Sequence, residues 1–103
     1  MNIVAVTACA TGIAHTYMAA EQLEKTAKTL GYRIKVETQG ALGIEHRLSD
    51  DDVRNADGAI IAADIGIEDE ERFHGIPVVR VPVQDAIKDA LGVIGKLPRG
   101  QQA

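Results

Sequence analysis

Aromatic residues are scarce: Tyr17, Tyr32 and Phe73 are all there are among 103 residues. A core therefore has to be built from Val, Ile, Leu and Ala. There is one cysteine, so no internal disulfide can form. Excess positive charge is missing too. A formal charge of −4 argues against general nucleic-acid binding, which needs a basic footprint. No apolar run reaches the length of a transmembrane helix, and the N-terminus lacks the basic start and cleavage site of a signal peptide. These features together favour the cytoplasm.

The residues present describe an ordinary globular chain, 46% apolar and 25% charged, sized for one domain with a modest core. Residues 1–7 form an apolar, β-branched run without strict alternation, as expected of a strand covered on both faces. Residues 15–30 read as a helix with Ala19, Leu23, Ala27 and Leu30 on its inner side, Met18 and Ala20 beside them, and Gly31 as its stop. The i,i+4 pairs Glu21–Lys25 and Glu24–Lys28 on the outside contribute about 0.3 kcal/mol each.

Residues 33–39 alternate as a strand with one wetter face bearing Lys35 and Glu37, and a loop containing Gly40 and Gly43 follows. Ser49-Asp50-Asp51-Asp52 is a variant of the capping box and predicts a short helix to about Asn55. Residues 58–63 read as a buried strand, 64–75 as a loop with one helical turn, and 77–81 as a further strand. Pro82 opens a last helix with Val83, Ile87, Ala90, Leu91 and Ile94 on one face and Gly92 weakening it. Residues 97–103 read as a frayed polar tail.

The alternation predicts an α/β fold: an open four-stranded parallel sheet, strand order 2-1-3-4, with helices on both faces and right-handed crossovers, Rossmann-like. The domain spans 1–97 and the flexible tail 98–103. Ligands in such sheets bind beyond the carboxyl ends of the strands, where the order reverses. The loops after the first and third strands meet there.

One of these loops is Cys9-Ala10-Thr11-Gly12-Ile13-Ala14-His15-Thr16. A strand, a tight loop of small residues and a helix N-terminus cradle phosphate through free backbone N–H groups and the helix dipole. The same field stabilises a thiolate, so Cys9 is the candidate nucleophile. Residues 10–16 are the candidate phosphate cradle, with the hydroxyls of Thr11 and Thr16 as further ligands and His15 as a cap, acid/base or donor. Gln39 and Asp64, at the ends of the neighbouring strands, border the crevice. His46 and His74 show no ligand spacing, and no metal or other cofactor is indicated. Glu68-Asp69-Glu70-Glu71 reads as a solvated turn.

Two chemistries fit a cysteine in a phosphate loop. Cysteine phosphatases use C-x5-R followed by Ser or Thr, the arginine forking around the phosphate. Counting from Cys9 gives His15 and then Thr16, so the frame is right and the arginine is missing. No Asp-Pro pair marks an acid loop. The alternative is phosphoryl relay, in which omission of the arginine helps the phosphocysteine survive to be passed on. A low-molecular-weight-type phosphatase and a non-catalytic phosphate-binding module stay open on the residues alone.

The stretch from Cys9 to Glu21, Cys9-Ala10-Thr11-Gly12-Ile13-Ala14-His15-Thr16-Tyr17-Met18-Ala19-Ala20-Glu21, resembles the motif C-P-T-G-I-A-H-T-Y-M-A-A-E. That motif belongs to the enzyme IIB component of the bacterial sugar phosphotransferase system (PTS), fructose-specific class of the fructose–mannitol family. Val36-Glu37-Thr38-Gln39-Gly40 matches a V-E-T-Q-G segment. Ala56-Asp57, Ala62-Ala63-Asp64 and Arg72-Phe73-His74-Gly75 match further family elements. The resemblance covers residues 1–97.

The resemblance implies that Cys9 is the residue phosphorylated. It would accept phosphate from a phosphohistidine of the IIA component and pass it to fructose, or a similar hexose, bound by the membrane IIC component. This is the activity of a protein-phosphohistidine–sugar phosphotransferase. It also implies a cytoplasmic domain, monomeric on its own, meeting the membrane only through IIC. Ala10 departs from the family's proline, adding an N–H and loosening the loop. An apolar docking surface of Ile13, Tyr17 and Met18 is expected around Cys9.

Overall fold

The structure is a computed structural model and describes residues 1–9, 13–41 and 43–98, with Ile13 described by its backbone. The central strand is β1 (Asn2–Ala8), with every residue after Asn2 buried. It has no wet face because it pairs in parallel on both sides, with β2 (Arg33–Gly40) and with β4 (Gly58–Ala63). β5 (Val78–Val81) adds in parallel to β4, and β3 (Gly43–Glu45) turns back antiparallel onto the end of β2. The sheet order is β3-β2-β1-β4-β5. The parallel part has the predicted order, and β3 is a fifth strand where a loop was expected.

Alternation along β1 divides the core. Ile3, Ala5 and Cys9 face α1 (Ile13–Thr29), α3 (Val83–Lys88) and α4 (Ala90–Gly95), whose Leu23, Ala27, Val83, Ala86, Val93 and Ile94 are all buried. Val4, Val6 and Ala8 face the other way, toward Leu48, Phe73 and the partly buried Val53 beside α2 (Asp50–Arg54). With aromatics so few, Phe73 is the largest fully buried side chain.

Local signals in the sequence account for the helix ends. Ser49 caps α2 with its side chain accepting from Asp52 N, while the Asp52 side chain accepts from Ser49 N. Gly31, at φ +80°, ends α1. Tyr32 N donates to Ala27 O at 2.9 Å and Gly31 N to Lys28 O at 3.0 Å, the paired bonds of a Schellman stop.

Several expectations are corrected. The last helix is two: Asp89, at φ −148° and ψ 62°, breaks it, and its side chain caps α4 by accepting from Gly92 N at 3.0 Å. The break turns the second half, so Leu91 faces out at 58% exposure. Leu30 lies beyond the end of α1 and is exposed, as is Met18. Leu97 is buried, packed over Gly58, rather than part of a frayed tail; residues 99–103 lie outside the described residues. Glu37, expected on a wet face, is fully buried.

Candidate functional site

The carboxyl ends of β1 and β4 are in register, Ala8 opposite Ala63, and Asp64 N donates to Ala8 O at 3.2 Å. The next residues along the two strands, Cys9 and Asp64, therefore emerge side by side. Cys9 is 8% exposed, and its Sγ lies 3.6 Å from Asp64 Oδ2, the thiol donating. The other carboxylate oxygen, Oδ1, accepts from Val83 N at 3.1 Å, at the start of α3. Asp64 thus spans from the sulfur to a helix end. Topology alone placed these two residues together, and the structure does so.

α1 begins at Ile13, four residues after Cys9. The backbone N–H groups of a first helical turn have no partner within the helix, and they carry the positive end of its dipole. Within that turn Ala14 and His15 are exposed, and Thr16 is buried. Thr7 Oγ1 donates to Thr16 O at 3.0 Å, which ties the end of β1 to the beginning of the helix. The Thr16 hydroxyl itself is buried with no hydrogen-bond partner among the described residues. Buried hydroxyls are rarely left so. Of the expected cradle, Ala10, Thr11 and Gly12 lie outside the described residues.

Gln39, at the carboxyl end of β2, is buried and its amide is fully engaged. Its Oε1 accepts from Glu68 N at 2.9 Å and its Nε2 donates to Glu68 O at 3.4 Å, in the manner of one more ladder step. Nε2 also donates to Glu37 Oε2 at 2.8 Å. The segment following Asp64 is held down by this side chain. Arg80 adds a second tie, Nη2 donating to Ile65 O at 3.2 Å and Nη1 to Glu70 Oε2 at 2.9 Å.

Beneath Gln39 sits a buried ionic group that sequence reading missed. Glu37 accepts from Arg72 through both guanidinium ends and from Leu48 N at 2.9 Å. Burial pushes its carboxyl up, but the hydrogen bonds from Arg72, Gln39 and Leu48, with the Arg72 charge, outweigh that and hold it below its ordinary value. Arg72 also stands over the Phe73 ring, 4.8 Å from its centroid. Glu37 lies in the V-E-T-Q-G match and Arg72 in the Arg72-Phe73-His74-Gly75 match, but nothing in their spacing signals that they meet.

The end of β3 is tied to α1 through a hydrogen bond from Tyr17 to Glu45. That bond, burial and the Glu45 charge all push the Tyr17 phenol up from its ordinary value. Tyr17, Met18 and Ile65 leave substantial apolar surface exposed near the carboxyl end of the sheet. Among the described residues no group of three or more His, Cys, Asp or Glu forms a metal site, and no helix is long and apolar enough to cross a membrane. A cleft of about 250 Å³ lined by Asn2, Ile3, Arg33 and Asn55 opens at the amino ends of β1 and β2, the far end of the strands from Cys9.

Comparison with known proteins agrees with this geometry. Residues 4–96 match the family described as "PTS system, Lactose/Cellobiose specific IIB subunit". The chain is 54% identical over 96 residues to the PTS system fructose-like EIIB component 2 of Escherichia coli K12, covering 93% of this chain and 91% of that one. It is 53% identical over 93 residues to part of the PTS system 2-O-alpha-mannosyl-D-glycerate-specific EIIABC component of the same organism, covering 90% of this chain and 14% of that longer protein. The crystal structure of a domain from the fructose-specific IIABC component of Borrelia burgdorferi superposes with a TM-score of 0.88 at 48% identity, covering 91% of this chain and 89% of that domain.

Proposed function

The chain belongs to the PTS IIB family, and on that premise we propose that Cys9 is its phosphoryl carrier. It receives phosphate from a phosphohistidine on a IIA component and delivers it to a sugar held by a membrane IIC component, fructose or a similar hexose. The observation that carries this reading is the position of Cys9: at the carboxyl end of the central strand, where β2 and β4 diverge, and immediately ahead of the positive end of a helix of 17 residues.

Each part of the site has a task in that reaction. The Cys9 sulfur attacks phosphorus in line with the departing imidazole nitrogen. Charge on the three equatorial oxygens is met by backbone N–H groups of residues 10–16 and by the hydroxyls of Thr11 and Thr16. The buried Thr16 hydroxyl, without a partner among the described residues, supports this assignment, because a phosphate oxygen would satisfy it. His15, exposed on the first turn of α1, lies within the segment that would face the phosphate. The exposed Tyr17 and Met18 offer apolar area to the donor and acceptor proteins. Fusion of A, B and C parts in the mannosylglycerate-specific relative supports partners of those two kinds.

The test is to mix the protein with the phosphorylated IIA domain of that relative and seek phosphate on Cys9 by mass spectrometry, with Cys9→Ser as control. A persistent phosphocysteine supports relay. Prompt release of inorganic phosphate identifies a phosphatase, and no label identifies a binding module.

A further inference from the structure

We infer that Asp64 is a catalytic residue of this site: its carboxylate takes the proton from the Cys9 thiol as phosphate arrives. The inference rests on the relay reading above and assigns a role that the reading itself leaves empty. Phosphorylation of a thiol must dispose of a proton, and something within reach has to accept it.

Among the described residues, Asp64 has a proton acceptor within reach of the sulfur. Its Oδ2 lies 3.6 Å from Sγ and already accepts the thiol hydrogen bond. Its Oδ1 is occupied by Val83 N at 3.1 Å, which fixes the carboxylate plane and leaves Oδ2 committed to the sulfur. Its backbone is pinned to β1 by the Asp64 N to Ala8 O bond at 3.2 Å. A carboxylate so restrained loses little freedom when it acts. Cys9 is nearly buried whereas Asp64 is exposed, so a proton received on Oδ2 has a path to water that the thiol itself lacks.

A sulfur lone pair forms the S–P bond while the N–P bond of the phosphohistidine breaks, its electron pair leaving with the imidazole nitrogen. The S–H proton passes to Asp64 Oδ2 and then to solvent or to the departing imidazole. While it holds the proton, Asp64 places no anion beside the arriving phosphoryl group as the S–P bond forms. Proton transfer by a positioned side chain contributes roughly a hundredfold or more to a rate.

The test measures the rate at which the phosphorylated IIA domain of the mannosylglycerate-specific relative labels Cys9, in wild type and in three variants. Asp64→Asn keeps an oxygen for Val83 N and removes the base, and its labelling is expected to fall about a hundredfold with an unchanged melting temperature. Asp64→Ala should be as slow and should recover with added formate, a small carboxylate able to enter the vacated space, but not with chloride at equal ionic strength. Asp64→Glu should regain part of the rate. Wild-type labelling with Asp64→Asn equally fast or faster overturns the inference, because the carboxylate then acts only as a repelling charge. Loss of rate in Asp64→Ala that formate does not restore overturns it as well. Failure of the wild type to label overturns the relay reading, and this inference falls with it.

Discussion

Arg72 closes on Glu37 with both ends of its guanidinium, Nη1 donating to Oε1 at 2.9 Å and Nη2 to Oε2 at 2.8 Å, in a place where Glu37 has no exposed surface at all. This bidentate pair fastens β2 to the short 3-10 turn Glu70–Phe73, and Leu48 N joins it from a third segment. The Gln39 bonds to the Glu68 backbone rest on that base, because Gln39 Nε2 also donates to Glu37 Oε2.

Breaking the pair from one side should be costly. Glu37→Gln leaves a nearly buried guanidinium without its counter-charge, and loss of one partner of such a pair costs roughly 3–5 kcal/mol. Urea unfolding should show the midpoint falling with no change in slope.

The pair also sets the acid limit of the fold. The Glu37 carboxyl titrates below its ordinary value of 4.5 in the folded state, so in acid the unfolded chain binds more protons than the folded one. The resulting stabilisation is complete above the ordinary value and is lost as pH falls through the folded one. Urea midpoints followed from about pH 6 to about pH 3 should decline in wild type, with a visibly shallower decline in Glu37→Gln.

Gln39 should prove to be a positioning residue. Gln39→Leu preserves volume but removes both bonds to the Glu68 backbone, worth about 1 kcal/mol each. Amide exchange at Glu68 should quicken by roughly fivefold or more. Labelling of Cys9 should slow even where global stability is little changed, since Asp64 sits at the start of the freed segment. Unaltered exchange at Glu68 would contradict the anchoring role.

Gly92 offers a sign test. Glycine to alanine within a helix ordinarily stabilises by roughly 0.5–1 kcal/mol. Here a Cβ would stand 2.2 Å from Asp89 Oδ2, the carboxylate that caps α4. Gly92→Ala should therefore destabilise by about 1 kcal/mol through loss of the cap. In an Asp89→Ala background the same change should become stabilising. Thermal melts of the four proteins in this cycle decide it.

Met18→Glu tests the apolar docking area. Met18 is 46% exposed, so folding should tolerate the change within about 0.5 kcal/mol. Transfer from the IIA domain should weaken, seen as a higher half-saturating donor concentration.

What the sequence made legible divides by range. The Ser49–Asp52 box, the Gly31 stop and the buried strands are short-range signals, and each is found where it was read. The Cys9–Asp64 neighbourhood followed from the reversal of strand order, a rule of topology. What escaped depends on distant partners or on very short elements. β3 is three residues long and begins at Gly43 with φ +91°, so no periodicity could reveal it. Glu37 looked like one polar position of an alternating strand, because the arginine that permits its burial arrives 35 residues later. The break at Asp89 did carry a signal, an aspartate three residues ahead of a glycine, but the apolar spacing from Val83 to Ile94 masked it.

The central place of β1 has a consequence for biosynthesis. The strand at the middle of the sheet leaves the ribosome before the other strands of the sheet, yet its two neighbours are β2 and β4, and the second of these is complete only at Ala63. Until then its Ile3, Val4 and Val6 have no finished core to enter. Parallel pairing across such separations is intrinsically slow and leaves apolar surface exposed meanwhile. The nascent domain therefore passes through a window, closed only when the second half of the sheet emerges, in which chaperones would find their best purchase on β1.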